Sequence, residues 1–117
     1  MDLNATTVGD TLLVTVDADR IDAAVAIRFK DGVREIVQNG PARIVLDLSR
    51  VDFVDSSGLG AVVAAMKLVG ADRKLELAGL TPTVAKVFRL TRMENVFTIY
   101  PTVSDATEVA DTAQRTG

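Results

Sequence analysis

The segment Ile44-Val45-Leu46-Asp47-Leu48 constrains this chain more than any other. Its apolar residues are successive rather than alternating. A strand of that kind is buried on both faces, as in a sheet built from parallel strands with helical crossovers. A polar break follows, then Asp55-Ser56-Ser57-Gly58, and then Leu59, Val62, Val63 and Met66 at the i, i+3, i+4, i+7 spacing of a helix. The chain is therefore expected to run from a buried strand through a short loop into a helix, ending at Gly70.

The rest of the chain extends this pattern. Leu3–Val8 and Thr11–Val16 read as strands around a Gly9-Asp10 hairpin loop. Asp22 is an N-cap residue for a helix whose Val25, Phe29, Val33, Ile36 and Val37 share one face. Gly32 weakens that helix by about 1 kcal/mol relative to alanine, and Asn39-Gly40-Pro41 ends it. Lys74–Ala78 alternates as a strand. Thr81-Pro82 opens a third helix, with Thr81 as cap and Pro82 in the first turn, and its buried face takes Val84, Val87, Phe88 and Leu90. Asn95–Tyr100 reads as a last strand, and Ser104 starts a C-terminal helix that frays by about Gln114. The order β-β-α-β-α-β-α-β-α predicts an α/β fold: a small, mostly parallel sheet with an N-terminal antiparallel hairpin and about four helices. A single domain over 1–117 is expected, with its core over about 3–110 and frayed residues from about 111.

Composition removes whole classes of chemistry. The 117 residues contain no cysteine and no histidine. No disulfide, thiolate nucleophile, zinc-thiolate site, imidazole base or histidine phosphorelay is available. No metal site and no cofactor are expected. The formal net charge of −3 is the wrong sign for a nucleic-acid binder. Met1-Asp2-Leu3-Asn4 has no basic n-region or apolar core, so no signal peptide is expected, and the longest apolar stretch, Leu59 to Val69, contains Lys67 and is far short of the ~20 residues of a membrane span. A cytoplasmic protein is expected.

The segment with chemical content is Val51-Asp52-Phe53-Val54-Asp55-Ser56-Ser57-Gly58-Leu59-Gly60. By N-cap preference alone, Asp-Ser-Ser-Gly is first of all a capping tetrapeptide. A helix N-terminus also presents unpaired N–H groups and partial positive charge, which suit an anion such as a serine phosphate. Gly58 and Gly60 remove bulk from the first turn, so that another backbone or a nucleotide can approach.

This ten-residue segment, following Ile44-Val45-Leu46-Asp47-Leu48, resembles the STAS domain of bacterial anti-sigma factor antagonists. The resemblance runs from about Leu12 to about Thr107. Asp19-Arg20-Ile21-Asp22 lies where the family often has Gly-Glu-Leu-Asp. Leu77 to Val84 is similar to the family's strand-turn-helix, and Val87-Phe88-Arg89-Leu90-Thr91 to the end of that helix. The resemblance implies a non-enzymatic partner switch. The unphosphorylated antagonist binds an anti-sigma factor and releases a sigma factor. The anti-sigma factor is often a serine kinase of the histidine-kinase-like ATPase fold, and a metal-dependent serine phosphatase reverses its action. By position, the implied phosphoacceptor is Ser56, supported by Asp22, Asp55 and Ser57, and the implied partner surface is Ser56, Ser57, Gly58, Leu59 and Gly60. Asp19 departs from the family's glycine and adds a carboxylate near the site.

Other readings compete. Related standalone domains also serve as non-catalytic modules in assemblies such as transporter complexes, with no sigma factor. A receiver domain would use Asp17, Asp19 and Asp47 as an acidic Mg²⁺ cluster, but one strand is missing from the order and no lysine follows the last strand. A serine hydrolase would need a G-x-S-x-G elbow and a base, and nothing in the sequence places Lys67 or Lys74 near Ser56.

Overall fold

The computed structural model describes residues 2–38, 40–70 and 72–108. Asn39 in the turn after the first helix, and the stretch from 109 in which terminal fraying was expected, lie outside the described residues. β1 (Asp2–Val8) and β2 (Thr11–Asp17) form the antiparallel hairpin, with Gly9 at φ 62° in the loop. β3 (Arg20–Ile21) precedes α1 (Ala26–Val37). β4 (Arg43–Asp47), β5 (Phe53–Val54), α2 (Ser56–Val69), β6 (Lys74–Ala78), α3 (Pro82–Leu90) and β7 (Ile99–Tyr100) follow, and residues 103–108 are helical. The main sheet has the order β1-β2-β4-β6-β7, parallel throughout except for the β1–β2 pair. This is the expected α/β architecture.

The core follows from residue alternation. Val14, Val16, Ile44, Leu46 and Leu77 project from one sheet face onto Phe29, Val33, Val62 and Ala65 of α1 and α2, all nearly solvent-free. Val45 and Ala78 project from the other face onto Ala106 of the C-terminal helical segment. β4 is thus buried on both sides, as its run of apolar residues requires. Gly32 faces β1: a Cβ there would lie 2.7 Å from Leu3 Cδ1, the end of a flexible side chain that can shift to make room.

Several local expectations are corrected. Asp22 does not cap α1. It closes a preceding turn by accepting the Ala24 N–H at 3.1 Å, and α1 begins at Ala26 with Val25 in the N-cap position. The chain is held extended as far as Ile21 by pairing with β5, so the helix starts one turn later. Thr81 is in the N-cap position of α3, but its hydroxyl donates to the Val51 carbonyl at 2.8 Å instead of capping. Leu90 is 71% exposed because α3 buries only Val84 and Phe88. The last strand is only Ile99–Tyr100: Met93–Asn95 is a 3₁₀ turn, and Phe97 turns inward onto Phe88, with ring centroids 6.0 Å apart.

Candidate functional site

A second, two-stranded sheet was not anticipated from the sequence, and it builds the site. β3 and β5 pair in parallel, Arg20 with Phe53 and Ile21 with Val54. Two residues are too few to show periodicity, so only the tertiary structure reveals this sheet. Ile21 and Val54 point into the core. The pairing carries the chain from the end of β4 to the start of α2 and holds it against the turn that precedes α1.

Asp55 is the joint. It sits at the N-cap of α2 with extended backbone, and its Oδ1 accepts the Gly58 N–H at 2.8 Å. Its Oδ2 accepts the Ala23 N–H at 3.2 Å. One carboxylate thereby caps α2 and ties it to the 22–24 turn. Asp22 stands beside it, with Oδ1 on the Ala24 N–H and Oδ2 3.6 Å from Arg20 Nη1. Asp55 is therefore engaged by two backbone donors, and Asp22 by one backbone donor and Arg20.

Gly58 is set by contact. A Cβ at this position would lie 1.8 Å from the Ile21 carbonyl oxygen, so α2 can rest on β3 only if residue 58 has no side chain. Gly60 differs: a Cβ there would meet nothing within 4 Å. Ser56 and Ser57 are exposed in the first turn, Gly60 is exposed, and Leu59 is half-buried. The sequence-derived residues Asp22, Asp55, Ser56, Ser57, Gly58, Leu59 and Gly60 are thus all drawn to one end of the molecule. Asp17 and Asp47 are used differently. Asp17 pairs with Arg50 at 2.9 Å, while Asp47 accepts the Ser49 N–H at 2.9 Å and the Thr15 hydroxyl at 3.3 Å. Among the described residues, no three acidic side chains converge as a cation site.

A family model for the STAS domain matches residues 2–106. The chain belongs to the STAS domain family. Among relatives, this STAS domain is 27% identical over 86 residues to the anti-sigma-F factor antagonist RsfB of Mycobacterium tuberculosis, covering 74% of this chain and 70% of that protein. Its fold superposes on an anti-sigma factor antagonist from Mycobacterium paratuberculosis with a TM-score of 0.83, at 24% identity and covering 94% and 93% of the two chains. It superposes on the phosphorylated form of the Bacillus cell fate determinant SpoIIAA with a TM-score of 0.66, at 21% identity and covering 92% and 97%.

The structure also contains a polar cluster that sequence reading missed. Glu76 is buried, and its carboxylate accepts Arg43 Nε at 2.5 Å. Arg43 Nη1 reaches the Thr11 hydroxyl at 3.0 Å and the Ala106 carbonyl at 3.1 Å, and the guanidinium lies 5.5 Å from the Tyr100 ring centroid. Its members are far apart in sequence, and a strand-initial arginine reads as an ordinary sheet-edge charge. The cluster lies on the sheet face away from α1 and α2 and clamps the C-terminal helical segment.

Proposed function

We propose that this STAS domain is an anti-sigma factor antagonist that binds through the start of α2 and is switched off by phosphorylation of Ser56. The observation that carries this reading is the construction of the α2 N-terminus. Asp55 and Gly58 lock the first turn onto β3, which leaves the Ser56 and Ser57 side chains in solvent on a rigid base. A kinase needs an accessible hydroxyl, and a partner needs a preorganised surface. An exposed serine on a fixed helix start meets both needs. The names of RsfB and of the Mycobacterium paratuberculosis protein, and the existence of a phosphorylated form of SpoIIAA, support the same reading.

In this reading the chain works by binding and performs no catalysis. Unphosphorylated, it holds an anti-sigma factor through Ser56, Ser57, Gly58, Leu59 and Gly60 and so releases the sigma factor. The anti-sigma factor is a serine kinase of the histidine-kinase-like ATPase fold, a metal-dependent phosphatase restores the hydroxyl, and the exchange takes place in the cytoplasm. Phosphorylation adds about −1.5 to −2 charge at one surface point. The α2 N-terminus stabilises part of that charge in the free protein. Asp22 and Asp55 oppose it, and so does any partner group placed to receive a neutral hydroxyl. A phosphate buried at the interface therefore removes several kcal/mol of binding without refolding.

The test is recovery of the chain from its host with its bound partners, followed by mass spectrometry of the Asp55–Gly60 peptide. Phosphate on Ser56 and co-recovery of an ATPase-fold anti-sigma factor are expected. Ser56→Ala should bind that factor constitutively, and Ser56→Asp should bind it at least about tenfold more weakly. Equal binding by both variants, or recovery of a membrane transporter assembly in place of the kinase, would sink the assignment.

A further inference from the structure

The outer face of the β3–β5 sheet carries a feature that the fold does not use. Ile21 and Val54 supply the apolar contacts of this sheet to the core, yet Phe53 points outward and is 41% exposed. The Arg20 guanidinium lies over its ring, 5.1 Å from the centroid, and is itself held 3.6 Å from Asp22. The cation–π contact and the ion pair bias the ring and the arginine toward this arrangement before any partner arrives, which lowers the side-chain freedom lost on binding. Aromatic residues and arginine dominate the energetic centres of protein interfaces. The register places Arg20 and Phe53 side by side on the outer face, Asp22 is drawn toward it by Arg20, and Ser56 lies three residues beyond Phe53.

Charge defines the kind of partner. Segments 17–22 and 50–55 contain Asp17, Asp19, Asp22, Asp52 and Asp55 against Arg20 and Arg50. These five aspartates and two arginines account for the whole formal net charge of −3, so the remainder of the chain is neutral overall. The Asp52 N–H donates to the Asp19 carbonyl at 2.7 Å, which brings the two segments side by side. The molecule is electrically lopsided toward the end that carries Ser56 and Phe53.

We propose that the outer face of the β3–β5 sheet, with Phe53 beside Arg20, is a second docking element that seats in an apolar slot on the protein that binds Ser56, with basic residues of that protein against Asp19 and Asp52 and a neutral acceptor of the hydroxyl at Ser56. This rests on the reading that the Ser56 end engages an anti-sigma factor. Phe53 supplies affinity, and the surrounding aspartates steer association toward a basic surface. Arg20 is a positioning residue that keeps the ring presented.

The experiment is calorimetric and kinetic binding of the full chain to the purified host anti-sigma kinase with ADP. Phe53→Ala is expected to weaken binding by about 30-fold or more, and Phe53→Leu by less than about fivefold. Phe53→Leu should shift the melting temperature by less than about 2 °C and Phe53→Ala by about 5 °C at most, leaving both folded in the assay, because the ring is partly exposed. Asp19→Asn with Asp52→Asn should slow association and flatten its dependence on salt. Loss of binding in Ser56→Asp together with unchanged affinity in Phe53→Ala overturns the docking element and leaves the switch standing. Wild-type affinity in Ser56→Asp removes the switch, while the Phe53 series still decides the surface. A wild-type dimer that becomes monomeric in Phe53→Ala assigns the face to a second copy and overturns the proposal. Absence of binding by the wild-type chain overturns both.

Discussion

Gly58 and Gly60 are two residues apart in one helix and have opposite meanings. At 58 a methyl group would enter the Ile21 carbonyl, whose backbone is held by pairing with β5 and cannot move cheaply. Gly58→Ala should therefore destabilise the fold by at least about 2 kcal/mol. At 60 a methyl group meets open space, and alanine is the better helix former, so Gly60→Ala should stabilise the fold by up to about 1 kcal/mol. Urea unfolding of the two variants checks the pair. The same sign for both would mean that contact with β3 does not decide position 58. In the sequence both glycines read alike, as small residues clearing the first turn of a helix. Asp55 shows the same limit: its capping role was legible from residue type and position, but its bond to Ala23, 32 positions away, was not.

Between elements, the polar cluster on the far sheet face decides how the C-terminal helical segment is held. Few apolar residues meet there: Val45, Ala78 and Ala106, with Leu13, Tyr100 and Val103 at the margin. Arg43 bridges β4, β6, β2 and the helical segment through Glu76, Thr11 and the Ala106 carbonyl. Its side chain is 18% exposed and that of Glu76 11%. Removing one partner from such a pair leaves a charge with little water to solvate it, so Glu76→Ala should cost about 3 kcal/mol. The loss should be local first: amide exchange in residues 103–108 should accelerate more than in α1 or α2. Uniform acceleration across the chain would show that the cluster stabilises the whole fold and does not latch one segment. Arg73 makes a comparable tie at the other end of the helical layer, donating to the C-terminal carbonyls of both α1 and α2 at Val37 and Val69.

At the scale of the whole molecule, the two halves of the architecture serve different ends. The five-stranded sheet with α1 and α2 is the base that holds most of the buried apolar side chains. The β3–β5 sheet and the α2 N-terminus form an exposed, charged end built on it. If the switch is a change in surface charge and not in fold, Ser56→Asp should keep the wild-type melting temperature within about 3 °C. Its backbone NMR shifts should differ from wild type only over about 20–24 and 53–60. Shifts spreading into β4 or β6 would mean that the core itself responds and would contradict a purely electrostatic switch.

Sequence alone determined the order of the longer elements, the parallel sheet, the hairpin edge and the helix that begins at Ser56. Each rests on local periodicity, a turn residue or a run of apolar side chains, and these act over a few neighbouring residues. It also selected Asp55 to Gly60, because the strand-loop-helix segment is continuous in the chain, whereas Asp22 came from the family resemblance. Tertiary structure decided the rest: the β3–β5 pair, the late start of α1, the burial of Glu76 with Arg43, the inward turn of Phe97 and the outward turn of Phe53. These depend on contacts between residues separated by tens of positions, and no local pattern encodes such contacts. The short strands show this most plainly, since two residues acquire a strand's geometry only when a partner strand arrives to pair with them.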